Sequence, residues 1–336
     1  MVGLCGVVAA CGALPGPSSP SDAVVERLVV SMGTSLRVEV VAKDRPTALR
    51  ASEAAVRAVE AAEQRLSTWR PDSELSRFLA APVGATVPSS AALCRDVRAA
   101  SRFCEATGGA FDPTVGALVA AYDLRGEGRW PSPSELEAAG AAQGMAQVHV
   151  EGAALRRSAA VRIDAGAFGK GVGLDAAAAA ATAAGATAAR FDFGGQLLVT
   201  DASAPVTFEV ADPRDRERAA LRLRVRSGSL ATTGNSERGR VVGGRPLGHV
   251  LDPRTGAPAA DFGAVTVWAE RALDADCLST ACFVLGPSEA IALAERTDGV
   301  EAVALIVSPT NGALSARVSS GLKGRVEALL PDLTIQ

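Results

Sequence analysis

Arg190-Phe191-Asp192-Phe193-Gly194-Gly195-Gln196-Leu197-Leu198-Val199-Thr200 reads as two short strands, Arg190–Phe193 and Leu197–Thr200, broken by a pair of glycines. Glycines inside a strand pattern mark a tight turn or the close approach of another backbone. No helix-length segment lies between the two strands. The same holds downstream, where strand-like runs near Val206–Val210, Leu221–Val225 and Ala264–Trp268 follow one another without regularly spaced helices. A parallel sheet needs a long crossover, usually a helix, between consecutive strands. The expected fold class is therefore α+β, with mixed, largely antiparallel sheets and packed helices.

Working outward, Arg27–Met32 and Leu36–Val41 read as strands joined at Gly33-Thr34-Ser35. Pro46 to Leu66 reads as a helix with Leu49, Val56, Val59 and Leu66 on one face. Pro71-Asp72-Ser73 breaks it and caps a short turn through Phe78. Ser89 or Ser90 caps a helix that carries Leu93, Val97 and Cys104 and stops at Gly108-Gly109. Ser132 and Glu135 have the spacing of a capping box, for a helix ending near Gly144. His149-Val150 and Val161-Arg162-Ile163 are strand-like, and Leu174 to Ala184 is an alanine-rich helix. Helices at Asp274–Leu285 and Pro287–Thr297 precede strands at Ala302–Val307 and Ala313–Val318. There is no repeat of fixed period.

The chain has 336 residues, 48% of them hydrophobic and 21% charged, a globular composition. Aromatic residues are only 4%, so close-packed, alanine-lined helices are expected. A net charge of −3 without dense Lys/Arg runs argues against a nucleic-acid surface or an anionic membrane surface. The six cysteines include no C-x-x-C pair, so Cys94, Cys104, Cys277 and Cys282 read as small buried hydrophobes. Residues 1–22 read as a leader and tether: a short apolar run, small residues before Cys11, then a Gly/Pro/Ser-rich stretch. That pattern suggests the end of a lipoprotein signal with an acylated Cys11, although no Lys or Arg precedes the run. The rest, 23–330, reads as one domain.

Four segments could carry chemistry. Gly248 to Gly256 holds His249, one of only two histidines, before an Asp-Pro turn. Imidazole is the side chain best suited to moving a proton near neutral pH, although a lone histidine in a strand is more often structural. Asp276 and Thr280 are spaced i,i+4 near a helix start and share a face, two hard oxygen donors for Mg²⁺ if a carbonyl and waters complete the shell. Asp164-Ala165-Gly166-Ala167-Phe168-Gly169-Lys170-Gly171 lies between a strand and a helix. There free N–H groups and Lys170 could meet a phosphate; it lacks the spacing and the Ser/Thr of a Walker A loop. Gly109-Ala110-Phe111-Asp112-Pro113-Thr114-Val115-Gly116 could grip a flat ring, or be an ordinary turn with Phe111 in the core.

Taken in order, these segments resemble the FAD:protein FMN transferase family, the ApbE-like or "thiamine biosynthesis lipoprotein" family. The likeness runs from Met32-Gly33-Thr34 through Leu66-Ser67-Thr68-Trp69-Arg70-Pro71-Asp72 and Ala231-Thr232-Thr233-Gly234 to the Gly286 region. It implies a T-fold-like architecture. It also implies transfer of the FMN part of FAD to a Thr or Ser hydroxyl of an acceptor protein, with AMP leaving and Mg²⁺ required. By the same resemblance Met32, Trp69, Ala110, Phe111, Asp112, Asp164, Lys170 and Val250 would contact FAD. Ala167 (by its carbonyl), Asp276 and Thr280 would hold Mg²⁺, and His249 would be the base. An acceptor would be a redox-complex subunit or extracytoplasmic reductase, and the protein an envelope lipoprotein anchored through Cys11. Some positions depart from the family pattern: Trp69 replaces a tyrosine, Gly248 a serine and Asn235 an aspartate, and Asp192 and Gln196 flank the glycine pair where other polar residues are usual. Two rival readings remain: an FAD pyrophosphatase releasing FMN and AMP, and a non-catalytic FAD-binding lipoprotein.

Overall fold

In the computed structural model, which describes residues 22–237 and 239–336, a nine-stranded sheet forms the centre. Its order is Ala23–Ser31, Thr34–Ala42, Ala186–Phe193, Gln196–Thr200, Gly228–Gly234, Gly263–Ala269, Val300–Val307, Leu314–Val318 and Thr334–Ile335. Every neighbouring pair is antiparallel except the last. The expected fold class is the observed one. Residues 1–21 of the expected leader, Cys11 included, lie outside the described residues.

Of the two readings given to the glycines of the opening segment, the tight turn is the one observed. Phe193 pairs with Gln196 across them, and Gly194 and Gly195 have φ of 56° and 84°, values that favour glycine. A Cβ on Gly194 would also lie 2.7 Å from the Thr34 side chain, so the crowding there comes from a side chain and not from another backbone.

Eight α-helices occur among the described residues: α1 Arg45–Leu66, α2 Glu74–Ala80, α3 Ala91–Ala106, α4 Gly116–Ala121, α5 Pro133–Ala141, α6 Gly169–Ala183, α7 Ala272–Leu285 and α8 Pro287–Glu295. None is long and apolar enough to cross a membrane. Helices α1, α6 and α7 lie on one face of the sheet. Leu36, Val38 and Val40, alternate residues of one strand, are fully buried there with Ala51, Ala55 and Val59 of α1 and Leu174, Ala177 and Ala181 of α6. A three-stranded sheet (Val206–Asp212, Asp215–Val225 and Val326–Ala328) closes the other face over Leu197, Val199, Leu230, Val303 and Leu305.

Several expectations need correction. The buried face of α1 is Ala48, Ala51, Ala55, Val59, Ala62 and Leu66, while Leu49 is exposed. Small side chains let α1 and α6 come close, so the alanine stripe wins over the larger residues. Val161-Arg162-Ile163 is not a strand: Arg162 makes only a single bridge to Val115. Helix α5 keeps its Ser132/Glu135 capping box but ends at Ala141. Helix α6 begins at Gly169, five residues before the expected Leu174, so Gly169-Lys170-Gly171 lies in its first turn. Cys94, Cys104, Cys277 and Cys282 are free thiols. Burial and the neighbouring Asp112 push Cys104 up to about 12, and burial does the same to Cys282.

Candidate active site

The starts of α6 and α7 meet backbone to backbone. A Cβ on Gly171 would lie 2.6 Å from Leu273 Cα and 2.7 Å from the Ala272 carbonyl oxygen, so only glycine fits. This closeness lets the Gly171 N–H, free because it lies in the first helical turn, donate to Asp276 Oδ2 at 2.9 Å. Burial pushes the Asp276 carboxyl above its ordinary value, while the positive charge of Lys170 and the Gly171 N–H pull the other way. Asp276 thus sits at the positive end of α6 beside a lysine. The start of α7 is itself fixed. Asp175 of α6 accepts from the Ala272 N–H at 2.7 Å and the Leu273 N–H at 3.3 Å, and Gln196 Nε2 donates to the Ala272 carbonyl at 2.7 Å. One turn on, the half-buried Thr280 shares the face of Asp276 and donates to its carbonyl at 3.3 Å.

Met32 lies at the tip of the first hairpin with a positive φ of 48°. Its side chain packs against the start of α6, with Sδ 3.7 Å from a Cβ position on Gly169 and Cε 3.6 Å from one on Gly173. Asp164 precedes the 3-10 turn Ala165–Ala167; its Oδ1 accepts from the Gly166 N–H at 2.9 Å and its Oδ2 pairs with Arg125 at 3.1 Å. The 109–116 segment is tied to the same place, since the Asp164 N–H donates to the Pro113 carbonyl at 2.7 Å and the Gly116 N–H to the Arg162 carbonyl at 3.0 Å. Of the two readings of that segment, the ring of Phe111 follows the core one. It is 1% exposed and meets Phe103 edge-on, and Ala110 is buried beside it. Both oxygens of Asp112 serve the loop, Oδ1 accepting from Thr114 and Oδ2 from the Met145 N–H. What the segment offers a ligand is mainly backbone. Trp69 is 74% exposed and joins the group through Arg125, whose guanidinium lies 4.6 Å from its ring centroid.

His249 is half-buried, and its backbone N–H donates to Asn235 Oδ1 at 3.1 Å. The Asn235 amide leaves no room for a side chain at 248, where a Cβ would lie 2.6 Å from Nδ2. The two departures from the family pattern, asparagine and glycine, therefore fit each other. Asn235 ends the strand Gly228–Gly234, whose Thr233 donates to Ser279 of α7 at 2.9 Å. That chain of bonds links the histidine segment to the helix carrying Asp276 and Thr280. Val250 is buried in the same apolar cluster as Ala110, Phe111, Phe168 and Leu273. Tyr122 donates from its hydroxyl to the Gly256 carbonyl at 3.0 Å, anchoring the far end of the segment. His149 stays apart, with Nε2 3.2 Å from Ser158 Oγ on a small separate hairpin.

Among the described residues, no three His, Cys, Asp or Glu side chains cluster as a metal site. Asp276 offers a carboxylate and Thr280 a hydroxyl on one face of α7, and the 3-10 turn before α6 carries the carbonyl of Ala167. All are hard oxygens, which suits Mg²⁺ shared with substrate phosphates rather than held in an all-protein cage. A small cavity of about 80 Å³ opens beside Lys170, bordered by Gly194, Gly195, Thr232 and Ser236. A larger hollow of about 540 Å³ lies elsewhere, among Arg222, Arg224, Arg226 and Trp268, and includes none of the residues above. The chemistry, not the volume, locates the site.

Asp175 and Arg125 were invisible in the sequence as parts of this site, and Asn235 and Gln196 stood out only as departures from the family pattern. Each acts on a residue 14 or more positions away. No local spacing signals such contacts.

A profile of the ApbE family matches residues 32–304. The FAD:protein FMN transferase of Treponema pallidum is 32% identical, with 97% of this chain and 93% of that protein covered. The enzyme of the same name from Klebsiella pneumoniae is 29% identical, covering 86% of this chain and 87% of that protein. Among solved structures, the ApbE protein of Thermotoga maritima superposes with a TM-score of 0.80 at 29% identity, over 90% of this chain and 99% of that one. The flavinyl transferase ApbE of Pseudomonas stutzeri gives 0.77 at 28% identity, over 90% and 97%.

Proposed function

The chain belongs to the ApbE family, and on that premise we propose that it is an FAD:protein FMN transferase, moving the FMN part of FAD onto a Thr or Ser hydroxyl of an acceptor protein and releasing AMP. In this reaction the acceptor oxygen bonds to the FMN phosphorus, the bond from that phosphorus to the bridging oxygen breaks, and AMP leaves with that oxygen. The observation that carries the reading is the junction where Asp276, the first turn of α6 and Lys170 come together. A dinucleotide diphosphate brings two negative charges, and this junction offers the positive end of a helix, an ammonium and hard-oxygen donors.

Lys170 and the α6 N-terminus would bind the diphosphate and offset the charge that grows on the leaving AMP. Asp276, Thr280 and the Ala167 carbonyl would hold Mg²⁺, which when bound supplies Lewis-acid stabilisation of the phosphate oxygens. His249 would take the proton from the incoming hydroxyl, its segment held by Asn235. Met32, Trp69, Asp164, Val250 and the backbone of Ala110–Asp112 would line the path of the dinucleotide. Phosphoryl transfer of this kind depends mainly on positioning and electrostatics, which matches a site built from two fixed helix starts.

The test is to incubate the protein with FAD, MgCl2 and an acceptor subunit, and to look for flavin fluorescence on the acceptor in a denaturing gel. A fluorescent band that falls by about 10²–10⁴ in initial rate for His249→Ala is expected, with FAD binding retained. No band with any divalent metal would refute the proposal. Release of free FMN and AMP at a rate indifferent to acceptor would make the protein a pyrophosphatase instead.

A further inference from the structure

Arg125 touches two of the residues discussed above and has no assigned role. It stands in a closed turn after α4. There the Gly126 and Gly128 N–H groups donate to the Asp123 carbonyl at 3.0 and 3.2 Å, the Glu127 N–H to the Asp123 carboxylate at 3.1 Å, and the Arg129 N–H to the Tyr122 carbonyl at 2.9 Å. From this fixed base the guanidinium makes three contacts. It lies 4.6 Å from the Trp69 ring centroid, donates to Thr68 Oγ1 at 3.1 Å and pairs with Asp164 Oδ2 at 3.1 Å.

A tryptophan that is 74% exposed is unusual for so large an apolar side chain. The Arg125 guanidinium gives this exposed ring a fixed neighbour. It lies over the ring, most of whose surface is exposed, and is itself oriented by Asp164. We propose that Arg125 is a positioning residue that holds the Trp69 ring as a preformed stacking platform for a flat heteroaromatic ring of the dinucleotide. This rests on the proposed function for the identity of the ligand. The two rings of FAD, isoalloxazine and adenine, share the chemistry the platform recognises.

The test is a binding titration and reads no turnover. FMN binding is followed by quenching of flavin fluorescence and AMP binding by calorimetry, for wild type, Arg125→Ala, Arg125→Lys, Trp69→Ala and the Arg125→Ala/Trp69→Ala double variant. Thermal melts check that each is folded. Arg125→Ala is expected to weaken one of the two ligands about three- to tenfold, the range a cation–ring contact supports. Arg125→Lys, which keeps charge but not the flat stacking group, should recover only part of it. In the Trp69→Ala background, Arg125→Ala should have no further effect, because its action passes through the ring. The ligand that weakens names the ring on the platform: FMN for isoalloxazine, AMP for adenine. Unchanged affinity for both ligands, no saturable binding of either by wild type, or an equal loss from Arg125→Ala whether or not Trp69 is present would each overturn the assignment. Because the readout is affinity, the result decides the role of Arg125 whether or not FMN transfer is observed.

Discussion

At the scale of single residues, the fit between Asn235 and Gly248 sets the position of the catalytic candidate. Asn235 Oδ1 holds the His249 backbone N–H, and any side chain at 248 would push into the same amide. Gly248→Ala and Asn235→Ala should therefore act alike. Each is expected to lower kcat by about 10–100-fold through misplacement of the imidazole, with little change in the KM for FAD. Steady-state kinetics with FAD and acceptor check this; a rise in KM at unchanged kcat would contradict it. His249 and the Asp276/Thr280 pair stood out in the sequence through local signals, a rare residue type and an i,i+4 spacing, and took their candidate roles from the family resemblance. Asn235 and Arg125 were not legible as site residues, because each acquires its role from a partner on a distant segment.

At the scale of elements, the junction of α6 and α7 depends on an absent side chain. Gly171→Ala would place a Cβ 2.6 Å from the Cα of Leu273, and backbone cannot swing aside as a side chain can. A cost of about 1–3 kcal/mol is expected from overpacking, visible as a lower melting temperature. Metal-dependent activity should be lost as well, since the Gly171 N–H to Asp276 contact would be pulled apart. A variant with unchanged stability and activity would mean that the two helix starts are not in contact. Sequence reasoning missed the first turn of α6 for the same reason. Three glycines in five positions are poor helix formers, and the turn is held by α7 and Asp276, not by propensity. The capping box of α5, by contrast, was readable because it is closed within four residues. Glu135 there is held down at about 2 by the Arg129 guanidinium first and then by Ser132. A carboxylate lowered in the folded state contributes stability that is in place above its unfolded value and fades as pH falls through the folded one. The stability gap between wild type and Glu135→Ala should thus persist at pH 7 and close as pH drops from about 4.5 towards 2. Denaturant titrations at a series of pH values check it; a gap that widens on acidification would be the wrong sign.

At the scale of the whole molecule, Ala110, Phe111 and Val250 share the apolar cluster that includes α3 and α7, Lys170 borders a cavity also lined by Phe208 and Val210 of the second sheet, and the arginine-lined hollow involves that second sheet too. The antiparallel class was legible because strand followed strand at the Gly194-Gly195 turn. The strand Gly228–Gly234 was not, since it has little apolar alternation and is made a strand by its neighbours on both sides. The proposed Mg²⁺ site, with a single carboxylate, has a consequence for the folded protein as a unit. MgCl2 alone should leave the melting temperature nearly unchanged, and FAD with MgCl2 should raise it by about 2 °C or more beyond FAD alone. Asp276→Asn should abolish that increment and keep the shift due to FAD. A large shift from Mg²⁺ without FAD would point to a preformed cage that these residues do not provide.

The strand Thr34–Ala42 takes its inner neighbour from Ala186–Phe193, far along the chain. During synthesis the first hairpin therefore leaves the ribosome well before that neighbour exists, with Leu36, Val38 and Val40 bare. Helix α1 follows the hairpin directly and packs on both of its strands. It can shield that apolar stripe while translation continues, so the element that later supports α6 would first guard the nascent chain against aggregation.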